Sequence, residues 1–328
     1  MYKILLSGVF GLFLTLLGMQ QALALTVSPV KLEVIGKPGD VITGEVILYN
    51  EKDEEYTYYS SFERFDAQGE SGDPVFSAST EGLPSWISVR ESVTLQPQER
   101  LTVPFTISIP TDATAGGNFA AIFWNTYPPD QQDGTVGIGA KVGILLLLSI
   151  DGEVTEAGDL LEFGIEKNQT NFTTLPVNFW YRFRNNGTDR VKPSGTITIR
   201  NTFGLKATQF NANPGDGNAL PTQTRRLTAS WLEMDPSGKE VKTPEEGFMS
   251  QAMYELRHFR LGRYTAKLHL EYGTEGKTAD AKVSFLIIPW HAIVLILPTL
   301  FILFVLGIIL LKRYNRWIIR RAHAKTQA

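Results

Sequence analysis

The stretch from His291 to Leu311, HAIVLILPTLFILFVLGIILL, carries no formal charge along 21 positions. As an α-helix it would measure about 31 Å, the thickness of a bilayer's hydrocarbon core. So long an uninterrupted run exceeds what a core helix needs, and residues 290–311 are therefore expected to cross a membrane once. Its flanks agree: Trp290 on one side and Tyr314 and Trp317 on the other are amphipathic rings suited to the headgroup region. Lys312, Arg313, Arg316, Arg320, Arg321 and Lys325 follow, with no acidic residue after them. Positive charge beside a span is retained on the cytoplasmic side, so 312–328 is expected inside and everything before Trp290 outside. Pro298 is compatible with a span, because neighbouring groups can satisfy the carbonyl it frees.

The first 24 residues are expected to be a secretory signal peptide: Lys3 supplies the charge, Ile4 to Leu17 the apolar stretch, and Ala22-Leu23-Ala24 a cleavage site after Ala24. The 328-residue chain has no cysteine, which excludes disulfides, thiolate metal sites and a thiol nucleophile. Packed cores must hold it together. An exported protein without disulfides suits a bacterial envelope, with the ectodomain outside the cytoplasmic membrane. Setting aside Lys3 and the six basic tail residues leaves 24 basic against 34 acidic side chains, an ectodomain near −10. Such a surface repels nucleic acid and anionic wall polymers. It favours proteins or neutral glycans as partners.

Between leader and anchor the pattern is β throughout. From Leu101 to Ile109 the apolar residues Leu101, Val103, Phe105, Ile107 and Ile109 alternate with Thr102, Pro104, Thr106 and Ser108, one packed face and one wet. Strands are also expected at Leu25 to Val34, broken by Pro29, at Val41 to Asn50, Glu55 to Phe65, Asn118 to Tyr127 and Val136 to Ile150. The run Ile144-Leu145-Leu146-Leu147-Leu148 reads as a strand buried on both faces. Asp66 to Pro74 reads as a turn. Asp151 to Asp159, acidic and containing glycine, reads as a boundary. A second series follows at Leu160, Leu175 to Asn185, Thr196 to Asn201, Arg226 to Trp231, Gly262 to Tyr272 and Lys282 to Ile288, with Asp235 to Ser250 irregular. The expected fold class is all-β, with two tandem immunoglobulin-like β-sandwiches at 25–152 and 153–289 and one C-terminal transmembrane helix.

Several segments carry a family resemblance: Lys37-Pro38-Gly39-Asp40, Val46 to Asn50, Trp86-Ile87-Ser88-Val89, Val93 to Glu99, the Leu101 strand ending in Pro110, and Asp112 to Phe123. So do Arg184-Asn185-Asn186-Gly187 and Lys192 to Ile197 in the second half. Together they resemble the bacterial WxL-interacting protein family. The resemblance implies two immunoglobulin-like domains, a C-terminal membrane helix and a basic tail. It further implies a first domain associated with peptidoglycan and a second with WxL surface proteins. Phe65-Asp66-Ala67-Gln68-Gly69-Glu70 stands where that family has an Asn- and Thr-rich segment in its first domain.

Catalytic machinery is not visible. No H-E-x-x-H or G-x-S-x-G arrangement occurs. Glu271 takes the place of the first glycine that a phosphate loop ending Gly276-Lys277-Thr278 would need. Asp66 to Ser71 and Asp130 to Gly134 have calcium-loop composition without EF-hand spacing and read as turns. His269 falls with Lys267 and Glu271 on the wet face of its strand, and His258 reads as a loop residue in a basic patch. No cofactor or metal is expected. The aromatic and proline-rich strand end Trp124 to Asp130 leaves two readings: Trp124 and Tyr127 stack on a sugar or protein partner, or they close the end of the sandwich. Trp86 reads as core, and Trp231 fits either role.

The leading expectation is a non-catalytic, membrane-anchored bacterial surface protein that binds another surface protein, a wall glycan such as peptidoglycan, or both. The alternative is an envelope-anchored, chaperone-like protein that binds clients by β-strand addition. An envelope glycosidase or peptidase is the third class, for which no acidic pair can be placed.

Overall fold

The computed structural model describes residues 25–326 apart from 80, 129–139, 243, 245 and 246, and from 318 onward only the helix backbone. The expected leader with its cleavage after Ala24, and the Asp130 to Gly134 loop, lie outside the described residues. Two units divide the chain. One holds the chain up to Gln68, Asp73–Thr155 and Gly187–Arg190; the other holds Gly69–Gly72, Glu156–Asn186 and Val191 onward. Each is an immunoglobulin-like sandwich with its own core.

In the first unit, β1 (Leu25–Ser28) and β2 (Lys31–Gly36) lie in different sheets, separated at Pro29, whose missing N–H and fixed φ suit the end of a strand. The single extended segment expected from Leu25 to Val34 is thus two strands. The chain continues through β3 (Val41–Asn50), β4 (Tyr56–Gln68), β5 (Asp73–Ser77), a single helical turn α1 (Leu83–Trp86), β6 (Ile87–Val89), β7 (Ser92–Leu95), β8 (Arg100–Ser108), β9 (Gly116–Asn125) and β10 (Lys141–Ile150). One sheet runs β1-β3-β8-β6; the other runs β2-β10-β9-β4-β5, with β7 also on β4. The turn read at Asp66 to Pro74 is shorter than expected, since β4 and β5 form a register-matched hairpin that closes at Gln68↔Asp73.

Burial follows the alternation read from sequence. On β8 Val103, Phe105 and Ile107 are buried while Thr102 and Pro104 face water. Val46 and Leu48 of the neighbouring β3 lie beside them, and Ile122, Trp124, Ile144 and Leu146 of the other sheet complete the core. β10 is buried on both faces from Leu146 to Leu148, as its apolar run implied. Gly44 is required by this packing, because the Phe105 ring lies against it and a Cβ there would fall 2.3 Å from the ring.

The second unit contains β11 (Gly158–Ile165), a 3-10 turn at Glu166–Asn168, β12 (Asn171–Phe172), β13 (Val177–Asn185), β14 (Ser194–Arg200), β15 (Lys206–Asn211), β16 (Thr224–Trp231), the helix α2 (Phe248–Arg257), β17 (Gly262–Tyr272) and β18 (Lys277–Ile287). Its sheets run β11-β13-β16 and β12-β18-β17-β14-β15. Phe179, Tyr181 and Phe183, alternating along β13, pack on Ile197, Leu268 and Phe285. Trp231 belongs to this core, with Tyr264 5.5 Å away and the Arg260 guanidinium over its ring at 5.5 Å. Trp86 is half-buried against the first core.

The irregular region expected up to Ser250 ends earlier, because α2 begins at Phe248. His258 is accordingly the residue that ends α2, not a free loop residue; its backbone N–H donates to the Tyr254 carbonyl and its Nδ1 lies 3.3 Å from Glu233. Pro289 separates β18 from α3 (Trp290–Thr326), whose segment Trp290–Trp317 is long and apolar enough to cross a membrane; His291 and Ala292 in its first turn are buried, and the side chains from Leu297 to Leu306 are exposed.

Candidate functional site

The aromatic strand end resolves into two different environments. Trp124 is 1% exposed and belongs to the first core, so its ring is not offered to a ligand; sandwich closure is its role. The physical reason is register: Trp124 pairs with Val142 of β10 and Ser60 of β4 in mid-sheet, on the face that turns toward Leu48 and Ile107. Tyr127, two residues past β9, is 48% exposed. The structure therefore separates the two rings.

The histidines also part. His269 alternates outward on β17 and its Nδ1 lies 3.1 Å from Asp280 and its Nε2 3.5 Å from Glu271. That hydrogen bond, above all, holds the Asp280 carboxyl below the usual aspartate range, with Lys267 helping. Among the described residues no group of three or more His, Cys, Asp or Glu is arranged to hold a metal ion. Gly276 lies in the β17–β18 turn with φ 65°, and Lys277 opens β18 opposite Tyr272. Trp290 opens α3, and Tyr314 and Trp317 stack at 6.1 Å near its other end. Lys312, Arg313 and Arg316 are exposed on α3. Arg320 and Arg321 lie on its continuing backbone.

What sequence could not reveal is an incomplete edge on β10. Its antiparallel neighbour β9 pairs with all of Lys141–Ile150. On the opposite side β2 pairs in parallel only with Leu145–Ile150, and the Leu145 N–H donates to the Val30 carbonyl at 3.0 Å. Because successive peptide groups point to opposite sides of a strand, Gly143 and Lys141 turn their N–H and C=O groups the same way as Leu145. Among the described residues no strand pairs with them there. The inner face of this short stretch is apolar, with Val142 and Ile144 packed on the core. Gly143 is fixed by close approach: a Cβ would sit 2.3 Å from the Ile122 carbonyl oxygen and 2.6 Å from the Phe123 ring. The Lys141 side chain is drawn off the edge, its ammonium 2.8 Å from Glu63 and 4.4 Å above the Phe123 ring.

Elsewhere the sheet margins carry the usual defences against pairing. β16 has Arg225 and Arg226, β15 has Lys206, β11 has Asp159 and Glu162, and β18 has Lys277, Asp280 and Lys282. β1 is four residues long and ends before a proline. The Lys141–Ile144 stretch has one such charge, Lys141, and its ammonium is engaged with Glu63.

No protein-family model and no curated protein matches the chain. Among solved structures it is similar to the class 5 fimbriae chaperone CfaA, at 10% identity over 81% of this chain and 100% of that one with TM-score 0.37. It is also similar to the E. coli chaperone DraB, at 11% identity over 81% and 97% with TM-score 0.33. A chain in the complex of the Salmonella enterica SafA pilin with the SafB chaperone resembles it at 8% identity over 82% and 98%, TM-score 0.35.

Proposed function

We propose that this is a non-catalytic protein held in the bacterial cytoplasmic membrane by α3, which binds another envelope protein by accepting an extended segment of it beside β10. The incomplete edge at Lys141–Ile144 carries the reading. A partner strand laid there would receive main-chain hydrogen bonds from Lys141 and Gly143, continuing the line β2 occupies from Leu145 onward. The resemblance to WxL-interacting proteins makes a surface protein the partner class, and an acidic ectodomain favours a partner that is not itself a polyanion. Peptidoglycan is less well served, since it would have relied on Trp124 and Tyr127 together and Trp124 lies in the core. The basic residues from Lys312 onward support a tail on the cytoplasmic side.

The test is Lys141→Pro in the full-length, membrane-embedded chain, compared with Lys141→Ala. Proline removes the N–H offered at the edge yet is tolerated at the first residue of a strand, whereas alanine removes only side-chain contacts, with Glu63 and the Phe123 ring. The expected outcome is that co-purification of the exported partner survives Lys141→Ala and is lost in Lys141→Pro. Equal recovery with both variants would contradict strand addition at this edge.

A further inference from the structure

The root of α3 is clamped inside the second unit by a buried polar contact that the β-sandwich alone does not require. Glu255, on α2, is 2% exposed and His291 is 7% exposed. Glu255 Oε1 lies 2.6 Å from His291 Nδ1, and its Oε2 accepts the Ala292 backbone N–H at 2.9 Å. A carboxylate is thus seated on the first turn of α3, where unpaired N–H groups and the helix dipole favour negative charge. Phe248 adds ring contacts to Trp290 at 5.8 Å and His291 at 5.4 Å. The short helix and the start of the long one form one packed joint.

That joint fixes how deep α2 lies if α3 spans a bilayer. Lys312 is the first charge on α3, and the twenty residues needed to cross a hydrocarbon core of about 30 Å, counted back from Leu311, end at Ala292. Ala292 is the residue whose N–H Glu255 holds. The boundary between acyl chains and headgroups therefore falls at the level of α2.

The surface at that level is unlike the rest of the unit. Met249, Met253 and Leu256, spaced four and three apart, form an exposed apolar stripe along α2, while Ala252 and Glu255 face α3. Phe259 and Leu261, leading into β17, are exposed too. At the same end of the sheet, β14 runs out against β17 at Arg200↔Thr265, and Thr202 Oγ1 accepts the Arg263 N–H at 3.0 Å and donates to its carbonyl at 2.9 Å. The turn so held presents Phe203, 86% exposed, and Leu205. Arg200, Lys206, Arg257 and Arg263 are exposed around these tips, cations suited to anionic headgroups.

We infer that α2 and the Asn201–Leu205 turn are a lipid-binding foot, inserted at the outer interface of the membrane that α3 crosses. The inference rests on the membrane-spanning reading of α3. Side chains of this kind, laid in the interface plane, bury their apolar faces among the upper acyl chains and leave their cations at the phosphates. The foot, with the Glu255–His291 clamp, holds the second sandwich at one set angle to the membrane, so that it stands on the bilayer and does not swing from a tether.

The absence of cysteine makes a direct test available. Single cysteines are placed in the full chain at exposed positions, as Met253→Cys, Leu205→Cys, Leu303→Cys and Glu275→Cys, labelled with an environment-sensitive fluorophore and reconstituted in vesicles of phosphatidylcholine and phosphatidylglycerol. Glu275 lies in the turn at the opposite end of the β17–β18 hairpin, about 35 Å from its start. The expected result is that probes at Met253 and Leu205 are quenched several-fold more by lipids spin-labelled near the headgroup than the Glu275 probe, and are shielded from aqueous iodide. If Leu303 is quenched by lipid while Met253 and Leu205 behave like Glu275, the foot is wrong and the span stands. Shielding of Met253 from iodide without quenching by lipid would mean that protein covers α2, and would also overturn the inference. A Leu303 probe beyond reach of every lipid quencher would remove the membrane reading itself.

Discussion

Two buried asparagines do the same work at corresponding places in the two units. Asn50 ends β3 with no exposure; its Nδ2 donates to the carbonyls of Glu54 and Gln96 at 2.9 and 3.1 Å, and its Oδ1 accepts from the Lys52 N–H and the Tyr58 hydroxyl. Asn185 ends β13, equally buried, and its Nδ2 donates to the Ala219 carbonyl at 2.8 Å. A buried polar group stripped of its partner costs about 1–3 kcal/mol, so Asn50→Ala should lower unfolding free energy by about 2–3 kcal/mol in a denaturant titration. Tyr181 presents the opposite case. Its hydroxyl is buried without a hydrogen-bond partner, and burial pushes its pKa up. Tyr181→Phe should therefore leave stability unchanged or raise it by about 1 kcal/mol. Asp280 supplies a pH signature. Its folded pKa lies below the unfolded value, so its contribution to stability is present above about pH 4 and is lost as pH falls through the folded pKa. The stability difference between the wild type and Asp280→Asn should accordingly close on acidification, and His269→Ala should raise the Asp280 pKa in an NMR titration. The asparagines were legible as strand-ending residues. Their hydrogen bonds were not, because the accepting carbonyls of Gln96 and Ala219 lie 46 and 34 residues away.

Among the elements, those with a wet and a dry face were the readable ones. β3 and β17 start and end where alternation places them, and β8 is within a residue of its expected span. Strand partners are a different matter, since hydrophobic pattern reports which face is buried and not which edge is paired. The open stretch of β10 was invisible for that reason: its sequence is the apolar run of a two-sided strand, and the late start of β2 pairing leaves Lys141–Ile144 without a paired strand on that side among the described residues. α2 was missed because its helical spacing of Met249, Met253 and Leu256 follows a segment rich in Pro, Gly and Glu, and one of its two buried positions belongs to an acid, Glu255. Glu255 also yields the prediction proper to this scale. Glu255→Ala leaves the Ala292 N–H without an acceptor and should reduce amide hydrogen-exchange protection across α2 and at Ala292, while Glu255→Gln, which keeps an acceptor oxygen, should retain part of it.

For the whole molecule, charge and hydropathy divide the chain as strongly as the fold does. Acid dominates between leader and anchor, cations crowd the tail beyond Leu311, and exposed apolar side chains gather on α3 and at the end of the second unit from which α3 departs. In the proposed function the chain is a membrane-held pair of sandwiches whose first unit offers main-chain hydrogen bonds to an exported partner. The most direct measurement is site-specific photocrosslinking in cells making the full chain, with the reactive residue at Lys141 on the open edge or at Val41, an exposed position on β3 in the other sheet of the same unit. A partner strand beside β10 predicts one exported protein crosslinked from Lys141, through an extended segment of its sequence, and no adduct from Val41. An adduct from Val41 with none from Lys141, or none from either, would contradict it.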